Sequence, residues 1–349
     1  MLKPYNIVLA VSIMVLVALI VLYLVFGTVE LARIDGKPKL IIDQDGGADD
    51  AMAIFMALLY EKYYNGPEVI ALTTTHGNVG EEQTYNNTQR ILSIANRKNV
   101  PIFRGSSEAL VTGMSTDYYF GVDGLGDNNF TKTYMAIAAK KEHAVFTLIN
   151  LSKKYKDKLV VVALGSLTNI ALAIRIDPDF VSRLSQLYVA AGHIYGENFT
   201  EPEFNAAMDV EAYHIVANSG NPDKLTLIPF SQILTYQLIS KEWREDVLGS
   251  IKTKIMQAQN SFERISFESD SFWSLLDPSA MAVALKETAV VEETVYSQNS
   301  IILCGDSRGI NTNNYTTKEE ANARLIYRVN KEPYKLFLYK LFSSDLDKV

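Results

Sequence analysis

The chain has 349 residues, with 33 Lys and Arg against 40 Asp and Glu, a net charge of −7 and one cysteine. That length accommodates one large α/β domain or two small ones. The acidic balance and the lack of a basic block argue against nucleic acid as a partner. The single Cys304 excludes an internal disulfide framework, a cysteine-based metal site and a redox pair.

The N-terminus differs in kind from the rest. Residues Ile7 to Phe26 are apolar apart from Ser12 and Tyr23, and they follow Lys3. A run of that length matches a bilayer span. Residues 1–29 therefore read as a signal anchor, or as a signal peptide cut near Gly27 and Thr28. Either reading sends the remainder into the secretory pathway, as the lumenal or extracellular part of a single-pass membrane protein or as a secreted one. Glycosylation sequons at Asn86, Asn129, Asn150 and Asn314 agree with that compartment. A fifth, at Asn198, falls on a segment assigned below to substrate and is expected to stay unmodified.

Residues 30–37 form a polar link, and 38–349 carry the alternation of a single α/β domain. Strands are predicted over Lys39–Asp43, Glu68–Thr73, Val100–Phe103, Leu159–Leu164, Gln186–Ala191, Leu225–Ile228 and Ser300–Cys304. Helices are predicted over Ala51–Tyr63, Glu81–Asn96, Lys140–Lys154, Thr168–Ile176, Val210–Ser219, Lys241–Phe267, Ser279–Lys286 and Lys318–Phe342. Such alternation implies a mainly parallel open sheet with helices on both faces, a Rossmann-like arrangement. Phe120 to Tyr134 is a Gly/Asp/Asn-rich loop.

The densest chemistry lies in Ile41-Ile42-Asp43-Gln44-Asp45-Gly46-Gly47-Ala48-Asp49-Asp50. Four carboxylates within eight residues, leaving a buried strand and entering a helix, repel one another unless positive charge sits among them. The helix N-terminus supplies part of that charge. A divalent cation supplies the rest, and an all-oxygen donor set suits Ca²⁺ or Mg²⁺ rather than Zn²⁺. A solvated acidic turn with Asp49 or Asp50 capping the helix is the plainer alternative. Three further strand ends carry polar or glycine-rich corners: Thr74–Asn78, Gly165–Asn169 and Ala191–His193. Ligands of open α/β sheets sit beyond the carboxyl ends of their strands, so these corners converge on one site.

The acidic motif resembles the signature of the inosine-uridine-preferring nucleoside hydrolases, the N-ribohydrolases. Asp43, Asp45, Gly47, Asp49 and Asp50 are in register with it, while Gly46 stands where that family carries proline. Gly77-Asn78 is similar to its second-strand motif, Gly124-Leu125-Gly126-Asp127 to its Gly-Leu-Gly loop, and Gly165–Ala171 to its Gly-x-Leu-Thr-Asn-Ile-Ala run. Asn198, Glu203, Phe204 and Asn205 resemble its Gly-Asn…Glu-Phe-Asn segment. Asp277-Pro278 resembles its distal Asp-Pro, and Arg308-Gly309 a late Arg-Gly pair.

The resemblance implies hydrolysis of the N-glycosidic bond of ribonucleosides to ribose and free base. It implies Asp45 as the base acting on water, and Ca²⁺ held by Asp45, Asp50, Asp277 and the backbone carbonyl of Leu164. Asp49, Asn78, Asn198, Glu203 and Asn205 would bind ribose, and Asp43 would orient the groups around the ion. By analogy it also suggests a homo-oligomer. Metal-held water and an oxocarbenium-like ribosyl cation are the chemistry such residues serve.

The leaving-group half departs from the pattern. Leu276 replaces a histidine common before the distal Asp, and Phe120 replaces another in the glycine loop. His76 and His193, both at strand ends, are the candidate acids, with Tyr195, Tyr118 and Tyr119 behind them. Phe272 and Trp273 either stack on a base or belong to the core. Two other classes remain open on these residues. One is a tethered nucleoside- or sugar-binding protein that turns nothing over. The other is an Asp-x-Asp glycosyltransferase built on Asp43-Gln44-Asp45, which leaves the Asn/Glu segment without a purpose.

Overall fold

Strand β1, Lys39–Gln44, is buried at every position, and the sheet is built outward from it on both sides. The computed structural model describes residues 36–128, 137–196, 199–269 and 271–346. Contacts divide the chain into Met1–Pro38 and Lys39–Val349, and everything below concerns the second unit.

The strands following β1 are β2 (Glu68–Thr74), β3 (Ile102–Phe103), β4 (Leu159–Ala163), β5 (Gln186–Ala190), β6 (Leu225–Ile228), β7 (Val291–Ile301), β8 (Asn311–Tyr315) and β9 (Ala323–Val329). They form one sheet in the order β3-β2-β1-β4-β5-β6-β9-β7-β8. Pairings from β3 across to β9 are parallel, whereas β7 runs antiparallel to both β9 and β8. The chain goes from β1 to β2 on one side and returns to β4 on the other. The β1/β4 boundary is thus the point where strand order reverses, and a crevice opens there beyond the strand ends.

The helices are α1 (Ala48–Tyr64), α2 (Glu81–Ile94), α3 (Ala144–Lys154), α4 (Thr168–Ile176), α5 (Phe180–Arg183), α6 (Phe204–Met208), α7 (Val210–Asn218), α8 (Phe230–Tyr236), α9 (Lys254–Phe262), α10 (Arg264–Ser269), α11 (Leu276–Val290) and α12 (Lys331–Ser343). They cover both faces. Residues of α1, α11 and α12 join the core on one side, and residues of α3, α4 and α7 join it on the other.

Helix α1 is buried without a break from Ala48 to Leu59, packed against α11, α12 and α9. Its sequence is apolar all round, as a helix enclosed on every side requires. The acidic corner therefore rests on the most enclosed helix of the fold.

Three predicted elements are corrected. The last predicted strand, Ser300–Cys304, is only the end of β7, which begins at Val291. The predicted helix Lys318–Phe342 is strand β9 followed by α12. Lys241–Phe267 divides into a π-helical stretch, Trp243–Leu248, then α9 and the start of α10. Among the described residues no helix is long and apolar enough to cross a membrane, and the run 7–26 lies outside them.

Candidate active site

Asp43, still inside β1, faces its register partner Thr73, whose hydroxyl donates to Oδ1 at 2.5 Å. Asn169, in the first turn of α4, donates from Nδ2 to the same oxygen at 2.9 Å and to the Thr74 carbonyl at 2.9 Å. Its Oδ1 accepts from the Ser106 N–H and hydroxyl. Asn169 is therefore a brace between β1, β2 and the loop after β3. Asp43 Oδ2 is buried with no hydrogen-bond partner, and burial pushes the carboxyl up to about 6.

Beyond β1 the chain turns sharply. Gly46 has φ +85°, in the left-handed region that glycine enters freely and proline, fixed near −65°, cannot reach. The glycine that departs from the family's proline is thus the residue this corner requires. The turn aims two N–H groups at Asp50: Gly47 N donates to Oδ2 at 2.7 Å and Asp45 N to Oδ1 at 3.2 Å.

Asp45 is gripped on both oxygens by Asn78, from the backbone N–H at 2.9 Å and from Nδ2 at 2.8 Å. The close approach depends on Gly77, where a Cβ would fall 1.8 Å from Asp45 Oδ2. Asn78, expected on ribose, thus has a second task, which is to fix the carboxylate of Asp45.

Asp49, Asp50 and Asp277 each present an oxygen, all within 4.8 Å of one another and all buried. The Asp45 carboxyl adjoins that of Asp50, which in turn adjoins Asp277. Burial is the largest cause raising the pKa of all four, and the neighbouring carboxylates add to it at Asp45, Asp49 and Asp277. Two like charges at that separation repel by about 3 kcal/mol at an effective dielectric of ~20. A helix N-terminus returns about 0.3–1 kcal/mol, or ~2 in the best buried geometry. The dipole of α1 cannot hold this group ionised, so the repulsion is relieved either by protons that neutralise some of the carboxyls or by a cation placed among them. Asp277 Oδ2 is buried and unpartnered, and the donor set is entirely hard oxygen. These residues fit a Ca²⁺- or Mg²⁺-type ion.

The carbonyl of Leu164, at the end of β4, accepts from Asn205 Nδ2 at 2.7 Å, and that same nitrogen donates to the Ala190 carbonyl at 2.9 Å. Asn205 therefore ties the ends of β4 and β5. One lone pair of the Leu164 oxygen remains for a further partner. Glu203 caps α6, accepting from the N–H groups of Asn205, Ala206 and Gly192 at 2.7–3.0 Å. Its burial outweighs these donors and raises it to about 7. Asn198 lies outside the described residues.

A cavity of about 430 Å³ opens above this cluster. Asp49, Asn78, Glu203 and Asn205 line its floor, and Phe204, Phe230, Leu234, Leu238, Phe272, Leu275 and Leu276 line its wall. Among its described lining residues none carries an imidazole, an ammonium or a guanidinium.

The two histidines expected as acids are not there. His76 Nε2 meets the Thr168 hydroxyl at 3.1 Å, and that hydroxyl gives its proton to Asp209 at 2.7 Å, so the imidazole is the donor in the first bond. His193 Nδ1 accepts from the Ser231 N–H at 3.1 Å, its ring lies nearly parallel to that of Phe230 with centroids 6.3 Å apart, and burial lowers its pKa to about 4. A strand-end position leaves open which way each ring turns, and both turn into hydrogen bonds within the protein.

Trp273 is core, its indole donating to Glu263 at 2.8 Å, while Phe272 is half exposed and lines the cavity. Arg308 pairs with Glu211 and the Thr112 carbonyl, clear of the cavity. The sequence reading missed the wall given by Phe230, Leu234 and Leu238. The i, i+4 spacing of Phe230 and Leu234 on α8 is the helical signal that would have found those two, while Leu238 lies past the end of the helix.

Buried carboxylates, amides from neighbouring strand ends and an apolar wall above them make a site suited to a hard cation and to a ligand with one polar and one apolar end. A model of the inosine-uridine preferring nucleoside hydrolase family matches residues 40–335. The chain is 31% identical over 265 residues to an inosine-uridine preferring nucleoside hydrolase of Leishmania major, covering 74% of this chain and 82% of that one. It is 35% identical over 231 residues to a probable uridine nucleosidase of Arabidopsis thaliana, covering 64% and 68%. The solved structure of a purine-preferring ribonucleoside hydrolase from Gardnerella vaginalis superposes with a TM-score of 0.75 at 26% identity, covering 88% and 99%. The chain belongs to the nucleoside hydrolase family, enzymes that hydrolyse N-glycosyl bonds and depend on a metal.

The raised carboxyls carry a stability signature. Asp43 and Glu203 hold protons up to about 6 and about 7, against ordinary values of 3.8 and 4.5. Such groups stabilise the fold fully below their unfolded pKa, and that contribution is lost as pH rises through the folded values. Metal-free protein should therefore lose thermal stability between about pH 5 and 7, and added Ca²⁺ should restore more at the upper end. Unfolding of chelator-treated protein across that range is the check. A Tm that holds constant or climbs would contradict the reading.

Proposed function

We propose that this chain hydrolyses ribonucleosides to ribose and free base with Ca²⁺ as its metal, and that Asp45 takes the proton of the attacking water. The observation that carries the reading is the convergence of Asp49, Asp50 and Asp277 at the floor of an apolar cavity rimmed by amides. Asp45, Asp50, Asp277 and the Leu164 carbonyl would hold the ion, with Asp49 near enough to share it. When bound, such an ion acidifies water and orients it.

The residues divide the remaining work. Asn78 pins Asp45 by two hydrogen bonds and so fixes the oxygens that receive the proton. Asp43 acts through its neighbours, bracing β1 against Thr73 and Asn169 below the corner. Asp49, Asn78, Glu203 and Asn205 face the cavity floor, where they grip ribose hydroxyls, and Asn198 is assigned the same task from its place in the sequence. Water oxygen bonds to C1′ as its proton passes to Asp45, and the C1′–N bond breaks with its electron pair passing to the base, which takes up one proton from solvent as Asp45 returns one. The positive charge that develops on the ribosyl ring lies over the carboxylates. Phe204, Phe230 and Phe272 keep water from the base.

The compartment is part of the proposal. Residues 7–26 tether the enzyme to a membrane, or are removed, and leave the hydrolase unit lumenal or extracellular. The apolar run supports this, as do Asn150 and Asn314, both exposed and so open to glycan. Homo-oligomer formation rests on family analogy. Alkaline extraction of membranes from cells expressing the full chain separates tethered from soluble protein. Full-length chain found only in cytosol would overturn the assignment.

Catalysis is tested by ribose release from inosine, adenosine and uridine. Asp45→Asn should reduce kcat by about 10²–10⁴-fold, the range of a lost general base, and chelation should abolish turnover until Ca²⁺ is returned. Equal rates in wild type and Asp45→Asn would defeat the assigned mechanism. Binding with no release by wild type would favour the tethered binding protein.

A further inference from the structure

One ion pair among the described residues is enclosed at both ends. Arg244, on the π-helical stretch, and Glu263, between α9 and α10, meet at 3.0 Å with side chains 3% and 2% exposed. The guanidinium also donates to Asn260 Oδ1 at 2.8 Å and lies 5.6 Å from the centre of the Trp273 ring. Removing two charges from water costs about as much as their attraction returns, and an apolar pair of the same volume stabilises a fold as well. What such a pair supplies is direction, and the other contacts of Glu263 show what it directs.

Glu263 Oε2 accepts from the Trp273 indole N–H at 2.8 Å. Its Oε1 accepts from Gln259 Nε2 at 2.8 Å, and that same nitrogen donates to the Ala48 carbonyl at 2.7 Å. The two links lead to different halves of the site. Ala48 opens α1, directly before Asp49 and Asp50 of the acidic floor. Trp273 stands between Phe272 and Ser274, both of which line the cavity. Its backbone exchanges two hydrogen bonds with Ile239, at 2.8 and 3.1 Å, beside the wall residue Leu238. Phe272 is half exposed, so its place in the wall follows from the anchored neighbour rather than from packing of its own.

Resting on the hydrolase reading above, we propose that Glu263 is a positioning residue that sets the base wall against the cation floor. Held by Arg244, one buried carboxylate fixes Trp273 and the wall segment on one side, and Gln259 and the first turn of α1 on the other. The bond that breaks lies between a ribose on the floor and a base on the wall. The spacing of the two therefore decides whether the base meets its wall once the sugar is seated. Wall contacts act alike on bound substrate and transition state, so loosening them raises KM and leaves kcat alone. Loosening the floor acts instead on the ion and on turnover.

The test is steady-state kinetics of the Ca²⁺-loaded full chain on inosine and uridine, with ribose as competitive inhibitor and Ca²⁺ binding followed by calorimetry. Trp273→Phe keeps a ring and loses the indole N–H. Nucleoside KM should rise about 10-fold, the low end for a hydrogen bond to a charged group, while kcat, ribose inhibition and Ca²⁺ affinity hold. Gln259→Met cuts the other link and should weaken Ca²⁺ binding about 5-fold, the worth of a neutral hydrogen bond, and lower kcat. An unchanged KM in Trp273→Phe would overturn the inference. So would a parallel loss of nucleoside, ribose and Ca²⁺ binding in either variant, the mark of a loosened fold. Where Trp273→Phe does not fold, Gln259→Met decides by itself, and wild-type Ca²⁺ affinity and kcat there would overturn the inference. Wild type that releases ribose from neither nucleoside would overturn the hydrolase reading, and this inference with it.

Discussion

Four buried carboxyls that cannot all be ionised together are the constraint around which this molecule is arranged. Asp45, Asp49 and Asp50 come from one corner, and Asp277 is delivered to them by the first turn of α11. Each raises the cost of ionising its neighbours, and burial removes the water that would soften it. The surrounding structure answers with fixed donors. Two backbone N–H groups point at Asp50, and Asn78 places two hydrogen bonds on Asp45. These hold geometry without cancelling the charge. A hard cation does both, which connects an unfavourable electrostatic arrangement to a family that depends on metal.

Rigidity under the site follows from topology. The corner lies where strand order reverses between β1 and β4, so strands from both halves of the sheet end around one crevice. Asn169 spans β1 and β2, and Asn205 spans β4 and β5, each through hydrogen bonds to otherwise open strand-end groups. Below, α1 is locked between the sheet and an outer layer of helices. Asp49, Asp50 and Asp277 therefore stand on helices, with Asp45 in the short corner between β1 and α1, and the apolar wall is drawn from helices and loops alike.

Much of the sheet is legible residue by residue. The β-branched runs of β1, β4, β5 and β6 are buried on both faces and read as strands without help. Strand β8, Asn311–Tyr315, is polar and lies at the sheet edge, so its composition carries no strand signal. In β9, Leu325, Ile326 and Val329 satisfy a helical spacing as well as an extended one, and only pairing with β6 and β7 decides between them. The acidic corner was legible because its carboxylates are neighbours in sequence. Asp277, more than two hundred residues away in the chain, is connected to that corner by family resemblance alone. The direction of His76 and His193 depended on Thr168, Asp209 and Ser231, which no local pattern reveals.

The central claim is that a divalent cation neutralises this cluster, and a calorimetric Ca²⁺ titration of the chelator-treated protein near pH 7 tests it most directly. One ion should bind per chain. Protons should be released on binding, read from heats that change with the buffer's ionisation enthalpy, because the ion replaces protons on raised carboxyls. The site should be lost in folded Asp277→Ala. Absence of saturable binding in wild type, or an unchanged isotherm in Asp277→Ala, would contradict the account.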